Sequence, residues 1–427
     1  MTGPERPAHT ILLIGAFDTK SAELVYLADQ IRAQGAQVLS MDVSVLGEPG
    51  CAVDIDKHSV AGAADSSIDH AAASGDENSA MQIMARGSAR LTAQLHCQGR
   101  INAMIALGGT MGTDLALDCA NALPLGVPKL IVSTIAFSPL IPPDRLPADA
   151  QMMLWAGGLH GLNSICRTTL SQAAGAAVGA ARAVERSPRH RPLVGITSLG
   201  SSCLNYMVTL KPALESRGFE VAIFHSTGMG GRAFESLAAQ GAFVCVMDFC
   251  LQELSNEVHG SPVTGGAGRL TAAGLAGVPQ LVAPGACDLI DLPTWQDTPD
   301  RWAQRTRHVH NRLIASIVAS PVERQATAAA IAERLAMARA PVHLILPMQG
   351  IEQWDRPGEP LHDATGLQAL MRALQDRVAP PVGISRLDAH INDPSFVDHV
   401  LAVFDRWLID GIVIRNPSST RPGTDSL

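Results

Sequence analysis

The sequence predicts an α/β protein of two Rossmann-like, doubly wound lobes with parallel sheets, and three observations carry that prediction. Short apolar runs alternate with longer segments of helical period along most of the 427 residues. The order of turns and runs in the first half recurs in the second. Glycine-rich or charged loops follow the apolar runs directly, at the strand tips where open parallel sheets carry their ligands.

In the first half, Ile11–Gly15, Val38–Val43, Ile101–Leu107 and Lys129–Thr134 read as strands, with helices beginning near Ser21, Ser79, Thr113 and Ser164. The basic, proline-containing segment "ERSPRHRP", Glu185–Pro192, breaks the pattern and reads as a linker. Strands resume at "PLVGITSLG", "EVAIFHS", "AFVCVMD" and "PQLVAPG". Beyond Asp288, "WAQRTRHVHNRLIASIVAS" and "PVERQATAAAIAERLAMA" read as helices, and "VHLILPMQG" and "PVGISRLDAHIND" as strands running into loops. The expected organisation is a lobe of residues 1–188, a lobe of residues 189–415 and a disordered tail at 416–427.

The repeat is most visible where "LGGTMGTDLALDCANALPLGVPKLIVST" and "TGGAGRLTAAGLAGVPQLVAPG" each run from a Gly-Gly turn through a helix to a Gly-Val-Pro turn and a strand. The first copy carries an insertion of roughly 25 residues, assigned to the polar stretch Leu46–Asn78. Two such lobes are expected to form a ligand cleft between the carboxyl ends of their sheets.

Composition narrows the class. With 47% apolar and 17% charged residues, a formal net charge of -8 and no strong Lys/Arg cluster, the chain reads as globular and argues against a nucleic-acid partner. The eight cysteines include no CxxC pair, which argues against a zinc ribbon or a disulfide framework and for reduced thiols in the cytoplasm. No run is long enough to cross a membrane. The Gly175/Gly179 spacing in "LSQAAGAAVGAARAV" reads as close packing between soluble helices.

Five loops carry candidate chemistry. In "GAFDTKSAE", Gly15, Asp18, Thr19 and Lys20 join a strand to a helix start; Asp18 suits a ribose hydroxyl or a metal-bound water, and Lys20 a phosphate. In "LGGTMGTD", Gly108, Gly109 and Gly112 permit close backbone approach, and Thr110 and Thr113 add hydroxyls at a helix start, the makings of a phosphate or carboxylate nest. "SLGSS" and "HSTGMGGR" are the third and fourth, both in the second half. There Gly228, Gly230, Gly231 and Arg232 would hold an anionic group, with His225 at the strand tip. The last group, "RHVHN" and "DAHIND", offers His308, His310, His390 and Asp393. Two histidines two apart on a helix do not share a face, so these residues read singly. His225, His310, His390 and Asp393 are the acid–base candidates, the last pair also able to hold a divalent ion. The sequence defines no set of metal ligands.

Taken together, "LLIGAFDTKSAEL", "ALGGTMGTDLA", "LPLGVPKLIVST", "FHSTGMGGRAFE", "GVPQLVAPGACD", "HNR" and "DAHINDPSF" resemble the family of the ATP-binding domain of the tomato mosaic virus resistance protein, over about Ile11 to Leu408. The resemblance implies two Rossmann-like subdomains, bound ATP with magnesium, and a homodimer, with a hetero-oligomer as the alternative. Three functions are thereby expected to compete. The first is a nucleotide-binding protein, the second a hydrolase or lyase acting on a small carbonyl or carboxylate compound, and the third a non-catalytic regulatory subunit.

Overall fold

The computed structural model describes residues 9–157, 161–184, 191–200, 203, 205–305 and 307–415. The expected tail at 416–427, linker residues 185–190, and Ser201 and Ser202 of "SLGSS" lie outside the described residues. By its contacts the chain divides into two compact units, Met1–Ser187 and Pro188–Leu427.

In the first unit, β1 (Thr10–Gly15), β2 (Gln37–Asp42), β3 (Ala103–Gly108), β4 (Lys129–Ser133) and β5 (Gln151–Leu154) form a parallel sheet in the order β2-β1-β3-β4-β5. Woven among them are the helices α1 (Ser21–Ala33), α2 (Lys57–Ala63), α3 (Ile68–Ala72), α4 (Glu77–Cys97), α5 (Thr110–Asn121) and α6 (Ser164–Ala183). Alternate residues of β1 feed two cores. Ile11 and Leu13 pack with α1 and α6, whereas Leu12 and Ile14 pack with α2, α4 and α5. Covered on both faces, the central strands are apolar throughout.

The second unit holds β6 (Leu193–Ser198), β7 (Glu220–His225), β8 (Cys245–Cys250), β9 (Gln280–Gly285), β10 (Leu289–Pro293), β11 (Arg307–Val309), β12 (Ile314–Val318), β13 (Val342–Pro347) and β14 (Gly383–Leu387). Its helices are α7 (Asn205–Ser216), α8 (Met229–Ala239), α9 (Gln252–Val258), α10 (Ala272–Leu275), α11 (Pro321–Leu335), α12 (Ala364–Arg377) and α13 (Pro394–Ile409). The main sheet is parallel in the order β14-β13-β9-β8-β6-β7, and a small antiparallel sheet, β10-β12-β11, follows the tip of β9. Taken from its other edge, β7-β6-β8-β9-β13 repeats the first unit's order, so the sequence repeat is a repeat of topology with β14 added.

Four expectations change. First, "WAQRTRHVHNRLIASIVAS" is not a helix: after a short turn at Asp300–Trp302 it forms the β11–β12 hairpin. The β-branched run Ile314–Val318 favours a strand. Asn311 Oδ1 accepts from the N–H groups of Leu313 and Ile314 and so closes the turn. Second, the two Gly-Gly pairs are not equivalent, because Gly108-Gly109 sits directly on the tip of β3 whereas Gly265-Gly266 comes only after α9. Third, α5 starts at Thr110, three residues before the expected Thr113, which puts Gly112 inside the first helical turn. Fourth, Gly179 has open space where close packing was expected, although Gly175 does face Gln34 of the α1 end. The expected insertion contains α2 and α3, which have no counterpart between β7 and β8. Among the described residues no helix is long and apolar enough to cross a membrane.

Candidate functional site

In the first unit, the chain leaves β1 toward β2 on one side and later enters β3 on the other, so the carboxyl ends of β1 and β3 flank a crevice. A buried clamp shapes its rim. Asp42 Oδ1, at the end of β2, accepts from the N–H of Phe17 at 3.0 Å and from the N–H and hydroxyl of Ser44 at 3.0 and 2.5 Å. Ser44 Oγ in turn accepts from the Asp18 N–H at 3.1 Å. These bonds fix the β1 loop to the β2 loop and aim Asp18. Its Oδ2 accepts from the Gly47 N–H at 3.2 Å, while its Oδ1 is buried without a partner among the described residues.

Above this rim lies a cavity of about 830 Å3. Gly15, Asp18, Thr19, Lys20, Gly108, Gly109, Thr110 and Gly112 all line it, so the structure brings the two predicted first-half loops together. The ninth predicted residue, Thr113, turns away: it is buried, with Oγ1 bonded to Gly109 O at 2.7 Å and Ser133 Oγ at 2.6 Å. The opposite wall carries Asp76 and Glu77 at the α4 start beside an apolar part, of which Leu46 and Ala72 lie in the expected insertion. Val43, Val45 and Leu46 after β2, Ala72 of α3, and Ala80 and Met81 of α4 supply that apolar part.

Two helix starts open onto the cavity. The α5 N-cap is Gly109, and no side chain caps it; Thr113 is the first residue of the helix whose N–H is bonded back, to Gly109 O at 2.9 Å. The N–H groups of Thr110, Met111 and Gly112 are therefore the orphan donors of the first turn. Gly108 must lack a side chain, because a Cβ there would lie 2.7 Å from Gly112 Cα. The α1 start at Lys20 likewise has no side-chain cap.

The second unit treats its glycine-rich loop differently. Gly228, with φ of +98°, is the N-cap of α8, and Gly230, Gly231 and Arg232 lie inside the helix. The anion held there is the protein's own. Glu253 Oε1 accepts from the N–H of Gly228 at 2.5 Å and of Gly231 at 3.1 Å. A Cβ on Gly231 would fall 1.8 Å from Glu253 Oε2, and one on Gly230 1.8 Å from His225 O. Glu253 also pairs with Arg269, whose fully buried guanidinium binds Asp248 through two nitrogens at 2.5 and 2.7 Å and Glu235 at 3.0 Å. Burial pushes the Glu253 and Glu235 carboxyls up, against the pull of Arg269. The expected external anion site at Gly228–Arg232 is thus filled from within. The Arg232 guanidinium lies beside Gly266, on the loop that covers this helix start.

The acid–base candidates do not form one constellation. His225 is exposed at the tip of β7, its Nδ1 3.2 Å from Thr227 Oγ1. His390 is buried with both ring nitrogens in use: Nδ1 accepts from the Asn392 N–H at 3.0 Å, and Nε2 donates to Glu352 O at 2.8 Å and Asp355 Oδ1 at 3.0 Å. Asp393 receives the His390 N–H on one oxygen and Arg356 on the other. These two residues tie loops together. His310 lies just past β11, its Nε2 2.7 Å from Ser316 Oγ.

The strand-tip loop ending at Asp288 stands out in the sequence, but its partner does not: Asp288 and Glu352 form a buried acid pair at the tips of β9 and β13. Among the described residues, neither Asp288 carboxylate oxygen has a partner, and Glu352 leaves Oε1 unpartnered. Burial pushes Asp288 up to about 7; burial and then the Asp288 charge push Glu352 up to about 9. The folded chain therefore keeps protons that an unfolded chain releases above roughly pH 4, and stability falls as pH rises through 7 toward 9. Asp288→Asn is expected to melt above the parent at about pH 8.5, with the gap closing toward about pH 5. Two melting curves that stay parallel across that range would remove this acid pair as the source of the slope.

A profile described as the N-terminal domain of "Uncharacterised protein family (UPF0261)" matches residues 9–186, and that of its C-terminal domain matches residues 191–408. A UPF0261 protein of Brucella melitensis is 53% identical over 412 residues, covering 96% of this chain and 99% of its own. One from Clostridium tetani is 32% identical over 394 residues, 90% of this chain and 96% of its own. The ToMV resistance protein Tm-1 of Solanum lycopersicum is similar at 28% identity over 337 residues, which are 76% of this chain and 44% of that protein. Among solved structures, MurG of Acinetobacter baumannii aligns over 95% of this chain and 93% of its own at 12% identity, with a TM-score of 0.20.

Proposed function

We propose, from the premise that this chain belongs to the UPF0261 family, that its N-terminal unit binds a small phosphate-bearing molecule of the nucleotide class, with ATP the specific form. The observation that carries this reading is the cavity itself, in which an apolar patch at Val43, Val45 and Met81 faces glycines and an uncapped helix start. A volume of about 830 Å3 suits a molecule of that size. The apolar patch accepts a flat base. The orphan N–H groups at the start of α5, reinforced by its dipole, accept a phosphate. Asp18 Oδ1, an acceptor lacking a donor among the described residues, suits a ribose hydroxyl or a metal-bound water.

Magnesium fits this site only as a companion of the phosphates. Among the described residues no group of three or more His, Cys, Asp or Glu could hold a metal ion. Magnesium keeps several waters and is usually bound through one or two carboxylates plus substrate phosphates. Asp18, on the phosphate side of the cavity, is the carboxylate that would serve; Asp76 and Glu77 line the opposite wall. Bound magnesium would offset phosphate charge, and the chain's own residues would bind and orient the ligand.

Calorimetry of the full chain with ATP, ADP and AMP, with and without magnesium, tests the reading. Saturable binding is expected, weakened by about 1.5–3 kcal/mol in Asp18→Ala through loss of a charged hydrogen bond. Neither heat nor a thermal shift at millimolar nucleotide would sink it.

A further inference from the structure

The β11–β12 hairpin changes what its two histidines can do. Residues two apart on extended backbone share a face, as they would not on a helix. The His308 and His310 rings accordingly meet, with centroids 4.6 Å apart at an interplanar angle of 72°. Two imidazoles bound through nitrogen to one ion, each at 2.0–2.1 Å, hold their centroids roughly 4.5–5.5 Å apart, so this spacing needs little adjustment.

The surroundings of His310 point the same way. Its Nε2 lies 2.7 Å from Ser316 Oγ, and that hydroxyl donates to Asp291 Oδ1 at 2.5 Å. The hydroxyl proton being committed to Asp291, Ser316 accepts from His310, which places the ring proton on Nε2 and the lone pair on Nδ1. Asp291 is itself held: its N–H donates to Asn256 Oδ1 at 2.7 Å, and its Oδ2 accepts from Asn256 Nδ2 at 3.1 Å. Ser316 and Asp291 are buried, whereas both histidines reach the surface in part. A histidine whose distal N–H is fixed by a chain ending in a carboxylate is the standard support for a metal-binding imidazole. Trp354 closes one side, its ring centroid 4.5 Å from His308 and 5.0 Å from His310.

We propose that His308 and His310 form a two-histidine site for a divalent late transition metal, with Ser316 and Asp291 as positioning residues and the remaining coordination positions open to water or a bound molecule. Imidazole ligands suit zinc, copper and nickel and disfavour magnesium and calcium. The site lies in the second unit and is independent of the nucleotide reading.

The test is calorimetric titration of the chelator-stripped full chain with zinc and nickel. One ion per chain with micromolar affinity is expected. His308→Gln or His310→Gln should abolish it, and Ser316→Ala should weaken it by about 10–100-fold, as loss of a ligand's support does elsewhere. His225→Gln should leave it unchanged. Copper should quench tryptophan emission, and Trp354→Phe should remove most of that quench while preserving stoichiometry. Metal-free melting of each variant separates loss of the site from loss of fold. Binding that survives both histidine variants, or Zn2+ affinity no tighter than millimolar in a folded chain, would overturn the proposal.

Discussion

Arg269→Met is expected to destabilise the chain by about 3–5 kcal/mol, the range for removing one partner from a buried ionic network. Arg269 is the cation shared by Asp248, Glu253 and Glu235, and none of those carboxylates has free access to water. Without it, Asp248 keeps Thr197 Oγ1 as a donor at 2.7 Å, and Glu253 keeps two N–H groups of the α8 start, but their charges are no longer neutralised. The pull on the Cys250 carbonyl at the end of β8 is lost as well. Chemical denaturation of the full chain measures the effect. A loss below about 1 kcal/mol, the size of a single ordinary hydrogen bond, would mean that the network is not balanced as described.

Gly109→Asp is expected to abolish ligand binding in the first unit while leaving the fold intact. The backbone there has φ of -79° and ψ of -152°, open to any residue, and a Cβ would meet nothing closer than Thr134 Oγ1 at 3.8 Å. Aspartate is a favoured N-cap, so its carboxylate would take the orphan N–H groups of α5 and repel an incoming phosphate. Affinity should fall at least about 10-fold, a loss of 1.4 kcal/mol or more. The melting temperature should hold or rise. Unchanged nucleotide affinity in this variant would move the phosphate away from α5.

The contrast between these variants marks what the sequence made legible. Strand tips followed by helix starts are local features, so Gly15, Asp18, Lys20, Gly108 and Gly109 could be picked out from their neighbours alone. The wall facing them could not, because Ala72, Ala80 and Met81 reach the cavity only when α3 and α4 fold back over the sheet. A glycine-rich loop signals that something approaches the backbone closely but not what approaches. At Gly228–Gly231 it is Glu253, from the start of α9, a helix that follows the strand read at "AFVCVMD". The His308/His310 region went astray earlier. Its helical period outweighs, in the sequence, the β-branched residues of Ile314–Val318, and a helix hides the relation between the two rings.

Glu253 at the α8 start bears on how this chain should titrate. A duplicated architecture invites the expectation of two equivalents of ligand and, with them, cooperative or biphasic curves. Here one copy carries its counter-charge covalently, at an effective concentration that no free anion matches. A titration should therefore saturate at one nucleotide per chain along a simple hyperbola, since the glycine-rich helix start of the second unit already holds Glu253.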